Sequence, residues 1–386
     1  MMKCLEKLVK NILAEEVKPY VDKYQFAYTA NRCVEDATLS LTDYVLSHVD
    51  KSNTSKVKNY VKILYVDFSS AFNTIQPHIM MQKLINMNVN RNLILWINEF
   101  LTERPQYVKF MESNSSIIIT NTGAPQGCVL SPLLFTLYTS DCRCINDSCK
   151  LFKYVDDTAL VAKCVNDDKQ FLEDVRHFTS WCDNNFLELN VKKTKEMIVD
   201  FRTSSYDVTP LYIKDQIVEQ VKEYKYLGTI IDDRLTFNQN VQSVFKKANS
   251  RLYFVRNLCK LKIDTKILEL FYSAVVQSVI AFSIICWYGN SSMESKRKLI
   301  RIIKTCVRLG ITNVMSLDEI YNKATLQRCK VIINDVDHPL NSLYSMLPSG
   351  RRYGSIKCRT SRYSSSFVPA SVRLLNDLRV NLLQTN

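Results

Sequence analysis

No two cysteines in the 386 residues stand in a Cys-x-x-Cys spacing, although there are thirteen of them. Scattered thiols argue against a disulfide framework and for a reduced, intracellular protein of the nucleus or cytoplasm. Cys142, Cys144 and Cys149, with His177 and Cys182 further on, raise zinc, but their spacings do not match the paired knuckles of zinc sites. A leader pattern is lacking too. Met1-Met2-Lys3-Cys4-Leu5-Glu6-Lys7 interleaves charges with apolar residues, where a signal peptide needs a continuous apolar region. Charge is absent from Leu270 to Gly289, about the length of a membrane span, yet Ser273, Gln277, Ser278 and Ser283 interrupt that run. A buried helix of a small domain is expected there, and no stable membrane association.

What the first 240 residues lack is any share of the positive excess. They hold 28 Lys and Arg against 30 Asp and Glu, a net of −2, while residues 241 to 386 hold 23 against 8, a net of +15, within a total of +13. A basic C-terminal third suits a protein that grips a polyanion with one part and does its chemistry with another. The apolar fraction of 46% is that of a globular chain with a proper core, and the length allows two or three domains.

The chemistry centres on Lys153-Tyr154-Val155-Asp156-Asp157-Thr158-Ala159-Leu160-Val161, two adjacent carboxylates between two apolar, β-prone runs. The pattern predicts a hairpin with both aspartates at its tip. A solvated turn is the commoner reading of an isolated Asp-Asp pair. A third carboxylate changes it: Asp67 ends the apolar run Val61-Lys62-Ile63-Leu64-Tyr65-Val66. Three clustered carboxylates raise one another's pKa unless cations are present, and two divalent metals would resolve the repulsion and make a phosphoryl-transfer site.

Around this centre the chain reads in order. Residues 1 to 20 form a helix closed by Pro19, and Gln25 to Ala37 is a loop entering a helix that runs to about His48, with Arg32 at the entry, in reach of a triphosphate. The polar run Asp50 to Asn59 is a surface loop. Helices follow from Pro77 and from Arg91 to Leu101. Gln106 to Met111 and Ser116 to Thr120 pair across a Glu-Ser-Asn-Ser turn, leading into Gly123-Ala124-Pro125-Gln126-Gly127, which permits close backbone approach, and Ser131 caps a helix. Lys169 to Asn184 is an amphipathic helix. Another Asp-Asp, Asp232-Asp233, also follows a strand, and from Asn240 the pattern is helical and basic. The tail mixes cations with aromatics (Arg351, Arg352, Tyr353, Arg362, Tyr363), the composition of a nucleic-acid contact.

Five of these stretches, in this order, resemble the motifs of reverse transcriptases encoded by non-LTR (LINE-type) retrotransposons. Val66-Asp67-Phe68-Ser69-Ser70-Ala71-Phe72 resembles the first palm motif, Gly123 to Pro132 the second, Tyr154-Val155-Asp156-Asp157 the third, Asn190 to Lys195 the fourth, and Tyr226-Leu227-Gly228 the primer-gripping turn. The resemblance implies an α+β right-hand polymerase: partial fingers over 1–60, a palm with an antiparallel sheet over 61–239, a helical basic thumb over 240–335 and a basic tail over 336–386. It implies an RNA-directed DNA polymerase that uses an RNA template, a DNA primer and dNTPs, with two Mg²⁺ ions, for which Mn²⁺ may substitute, held by Asp67, Asp156 and Asp157. Phe72 would exclude a 2′-hydroxyl, Gln126 and Gly127 would meet the nascent pair, Arg32 the triphosphate, and Lys195 would protonate or neutralise the pyrophosphate. An RNA-dependent RNA polymerase would be expected to carry Gly-Asp-Asp and a second acid after Asp67, where Val155 and Phe72 stand. The family's upstream Arg-Pro stretch and N-terminal endonuclease are missing, and Thr29 stands where the family commonly places Arg. The chain therefore reads as a fragment of an element's polyprotein. The alternative is a retrotransposon-derived nucleic-acid-binding protein impaired in catalysis.

Overall fold

A computed structural model describes residues 2–51, 59–202 and 209–384. Residues 52–58, most of the expected polar loop, lie outside them. The chain divides into two compact units. The first comprises Met1–Cys33, Lys62–Glu196 and Tyr206–Gln220, and the second Val34–Val61, Met197–Ser205 and Val221–Asn386.

The first unit holds most of a five-stranded sheet: β1 (Asn59–Val66), β2 (Cys149–Tyr154), β3 (Asp157–Val165), β4 (Lys195–Val199) and β5 (Glu219–Gln220), in the spatial order β5-β4-β1-β3-β2. Every residue of the central strand β1 is buried, as expected of an apolar run covered on both faces. Its one charge, Lys62, is compensated inside: the ammonium lies 2.7 Å from Asp168 and 3.1 Å from Glu196. The sheet is mixed rather than antiparallel. β2 and β3 form an antiparallel hairpin, but β5 runs parallel to β4, with Glu219 opposite Lys195. A two-residue turn forces reversal, whereas the connection over 200–218 is long enough to return the chain in the same direction.

Helices Met2–Val17, Pro77–Asn86, Arg91–Leu101 and Lys169–Asn184 stand where apolar periodicity places them. Two local expectations are corrected. The hairpin before Gly123 is interrupted, with Arg104–Gln106 pairing Ile118–Thr120 and Lys109–Phe110 pairing Ser113–Asn114. Its tip is therefore Met111-Glu112, where Met111 takes the left-handed conformation (φ 51°). Ser131 is the first residue of the helix Ser131–Tyr138 and does not cap it, because its hydroxyl turns back to the carbonyl of Pro125 (2.6 Å). The buried Glu6 carboxylate takes over, accepting the amides of Val129 (2.6 Å) and Leu130 (3.3 Å).

The second unit is mainly helical, with Val34–Val49, Asn238–Lys260, Met293–Arg308, Leu317–Asn334 and Phe367–Gln384 as its long elements. Residues Thr265–Trp287 are long and apolar enough, by length and composition, to cross a membrane. They are not the single buried helix that was expected. A π-helical turn covers Ser273–Gln277, and the path breaks at Phe282-Ser283, where Ser283 has φ 49°. One face is buried along its length, through Leu268, Tyr272, Val276 and Ile280, and the last part, with Ile284, Ile285 and Trp287, is buried throughout, while Leu270 is 71% exposed. The tail's aromatics differ from expectation as well: Tyr353 and Tyr363 are buried in this unit and offer no stacking face.

Candidate active site

Asp67 follows β1 directly, and the chain around it is held by the stretch that precedes β4. The Asn190 amide donates to the Asp67 carbonyl (2.9 Å), the Ser69 amide to the Glu188 carbonyl (2.9 Å), and the Asp67 amide to the Thr194 hydroxyl (3.3 Å). The first and fourth motifs, more than a hundred residues apart, thus form one backbone junction.

The Asp-Asp hairpin is built as the alternation predicts. Tyr154 pairs with Asp157, so Val155 and Asp156 make the whole turn. Val155 has φ 60°, a conformation that a β-branched residue adopts only under constraint. The constraint comes from a segment read in sequence as plain loop. The Lys153 amide donates to the Tyr24 carbonyl and the Phe26 amide to the Lys153 carbonyl, both at 2.9 Å, and Gln25 bridges β2 in parallel. Gln25 Oε1 accepts the Ala27 amide (3.2 Å) and, at 3.4 Å, the Val155 amide. Below the turn, the buried Lys153 ammonium pairs with Asp22 (2.8 Å) and donates to the carbonyls of Thr139 (2.9 Å) and Cys142 (3.0 Å). Nothing local marks Gln25, because its partner lies 130 residues away.

Asp67 and Asp156 act electrostatically on Asp157. Burial, and then the charges of Asp156 and Asp67, push the Asp157 carboxyl above its ordinary value. The facing cation is Lys193, with Nζ 3.9 Å from Asp67 Oδ2 and both side chains open to solvent. Lys195 is turned elsewhere, donating to the Glu219 carboxylate (2.6 Å) and the Lys192 carbonyl (2.7 Å). Oxygen donors of like charge are the chemistry that hard divalent cations take. Among the described residues no three His, Cys, Asp or Glu already stand as a ligand set around one point. That holds for the cysteines too, whose thiols burial pushes up, Cys142 to about 12, against the thiolate form that zinc binds.

The second motif meets the first from the other side. The Ala124 amide donates to the Phe72 carbonyl (2.8 Å) and the Gly123 amide to the Ile75 carbonyl (2.7 Å). At Gly123 (φ 75°) a Cβ would stand 2.8 Å from Asn73 Cα, so only glycine permits the approach. Gln126 Nε2 donates to Asn73 Oδ1 (3.3 Å), and the half-buried Phe72 ring lies 5.0 Å from that of Phe135. Gly127 turns beside Gln126 at φ 78°. Arg32 is held by its own loop, donating to the Lys23 carbonyl (2.5 Å) over the Phe26 ring. Tyr226, Leu227 and Gly228 belong to the second unit, where Leu227 and Gly228, both at positive φ, turn a tight hairpin.

Residues 1–231 match the family model described as reverse transcriptase (RNA-dependent DNA polymerase). Residues 237–278 match a second, that of alkylated DNA repair protein alkB homolog 8, N-terminal, over too short a stretch to assign a family. The RNA-directed DNA polymerase from mobile element jockey of Drosophila melanogaster is 26% identical over 308 residues, covering 73% of this chain and 32% of the relative. Its Drosophila funebris counterpart is 26% identical over 283 residues, 69% of this chain and 30% of the relative. The chain thus spans about a third of the length of these relatives. Among solved structures, apo telomerase from Candida tropicalis aligns over 88% of this chain and 61% of its own, at 11% identity and a TM-score of 0.44, too loose a superposition to carry an argument.

Proposed function

This chain belongs to the reverse transcriptase (RNA-dependent DNA polymerase) family, and on that premise we propose that it extends the 3′-hydroxyl of a DNA primer with dNTPs along an RNA template. The observation that carries the reading is the gathering of Asp67 and Asp156 around Asp157, whose carboxyl is raised by burial and then by the charges of those two. In this reading the five-stranded sheet is the palm of a right hand, the helices from Asn238 onward are the thumb, and 336–386 is a basic tail on it. The cell compartment proposed is the nucleus or the cytoplasm.

Asp67 and Asp156 would hold two divalent ions, Mg²⁺ or Mn²⁺, with Asp157 assisting. Bound there, the ions supply a lowered pKa for the primer hydroxyl and neutralisation of the departing pyrophosphate. The protein's part is positioning. Gln25 keeps the Val155 turn in its constrained shape, and Thr194 and Asn190 fix the backbone of Asp67, so the carboxylates are aimed before substrate arrives. Phe72, supported by Phe135, would fill the space that a 2′-hydroxyl needs, and Gln126, tied to Asn73, would lie under the nascent pair. Lys193 replaces Lys195 as the proposed cation for the phosphates, because Lys195 is committed to Glu219. Tyr226, Leu227 and Gly228 are proposed to grip the primer strand.

The second reading, nucleic-acid binding without efficient turnover, draws on the absence of a closed set of three ligands among the described residues. Primer extension on an RNA template with dNTPs and Mg²⁺ decides. Template-dependent extension is expected, and its absence in a folded, primer-binding preparation would leave the second reading.

A further inference from the structure

Within the second unit, a cavity of about 280 Å³ opens between the turn at Gly289-Asn290 and the short helix Ser361–Ser364. The two walls are locked together: a Cβ on Gly289 would stand 1.9 Å from the carbonyl oxygen of Ser365. Polar groups around it divide into two kinds. Thr236 and Thr360 also line the cavity, but their hydroxyls are spent on Asp232 (3.2 Å) and Asp50 (2.6 Å). Ser361 and Ser365, one helical turn apart, have hydroxyls without a hydrogen-bond partner among the described residues, and Asn290 Oδ1 is buried without one.

Arg362 completes the set. Its guanidinium lies 3.8 Å over the Phe201 ring with no carboxylate in ion-pair reach among the described residues. The nearby Asp232 is occupied, accepting the amides of Arg234, Thr236 and Phe237. Burial, and then the charge of Arg234, hold the Arg362 pKa below its ordinary value against the opposing charge of Asp232. A flat guanidinium, two free hydroxyls and an amide that can turn its Nδ2 inward are donors suited to a tetrahedral oxyanion. The volume has room for a phosphate group.

We propose that Ser361, Arg362, Ser365 and Asn290 form a binding site for a single phosphate group, separate from the carboxylate site and independent of its assignment. The phosphate could be free or part of a nucleic-acid strand. The test uses the full chain in phosphate-free buffer with EDTA at fixed ionic strength, probed with inorganic phosphate and with a single-stranded oligodeoxynucleotide. Arg362→Ala and the double variant Ser361→Ala/Ser365→Ala are compared with wild type, the double variant sparing the Phe201 stack should Arg362→Ala fold poorly. Losing donors to a charged group should weaken binding about 10- to 100-fold. Loss of oligonucleotide affinity in both variants, with competition by phosphate, supports the site and assigns it to a strand. Loss of phosphate binding alone supports it and assigns it to the free ion. Wild-type affinity for both probes in the folded double variant overturns the proposal.

Discussion

The chain contains the dipeptide Asp-Asp three times, and two of the copies, Asp156-Asp157 and Asp232-Asp233, have opposite fates. Asp232 closes the strand Thr229–Asp232, and its carboxylate accepts the amides of Arg234 (3.1 Å), Thr236 (3.0 Å) and Phe237 (2.6 Å) together with the Thr236 hydroxyl (3.2 Å). It holds the turn into the helix Asn238–Lys260, whose N-cap residue, Phe237, has no capping side chain of its own. Asp156 and Asp157 accept no side-chain hydrogen bond from the described residues, and Asp157 bears the charges of Asp156 and Asp67. A carboxylate saturated with donors is a structural part. One left exposed to like charge destabilises the fold slightly and persists where a ligand is to be held.

The largest effect should come from breaking the unsaturated copy. Asp67→Asn or Asp156→Asn should lower primer extension by about a thousandfold or more, with thermal stability unchanged or raised and primer-template binding retained. Full activity in either variant would remove the two-metal proposal.

Next in size is the sugar discrimination assigned to Phe72. Phe72→Val should raise the rNTP-to-dNTP incorporation ratio on the order of tenfold, the scale at which a pocket discriminates by shape. Because the ring also packs on Phe135, lowered stability with an unchanged ratio would make Phe72 a core residue only.

Breaking the saturated copy should do the reverse. Asp232→Ala should cost about 2 kcal/mol in denaturant unfolding, from the lost cap and charge-assisted hydrogen bonds, and leave the chemical step within a few-fold of wild type. A selective loss of turnover in a stable Asp232→Ala protein would contradict the contrast.

The smallest effect sharpens the comparison through pH. The Asp157 pKa stands above its unfolded value, so the folded state holds this proton more tightly. Its share of stability is present below the ordinary aspartate value of 3.8 and is lost as pH rises through the raised folded value. Asp157→Asn should flatten that part of the melting-temperature profile, and Mg²⁺ should offset the loss in wild type by binding the folded state. An identical profile for variant and wild type would show that Asp157 feels no such pressure.

Local pattern was enough for much of this. The apolar run Val61 to Val66, the hairpin around Asp156 and the helices at Pro77, Arg91 and Lys169 follow from alternation, periodicity and proline placement, which depend on neighbours in the chain. The motif order, from Asp67 to Tyr226, was likewise legible, and the family match over 1–231 bears out the likeness. What the chain does with distant partners was not. Gln25 bracing Val155, Glu6 capping the helix at Ser131, and Thr194 meeting Asp67 join residues that no window of sequence relates. The different partners of Lys193 and Lys195 were also beyond sequence. The two lysines are equal in composition, but Lys193 lies in the turn before β4 while Lys195 opens that strand, where Glu219, delivered by the parallel strand β5, pairs with it. The two Asp-Asp pairs were indistinguishable for the same reason: a dipeptide fixes how many oxygens are present, and only the folded chain decides how many donors reach them.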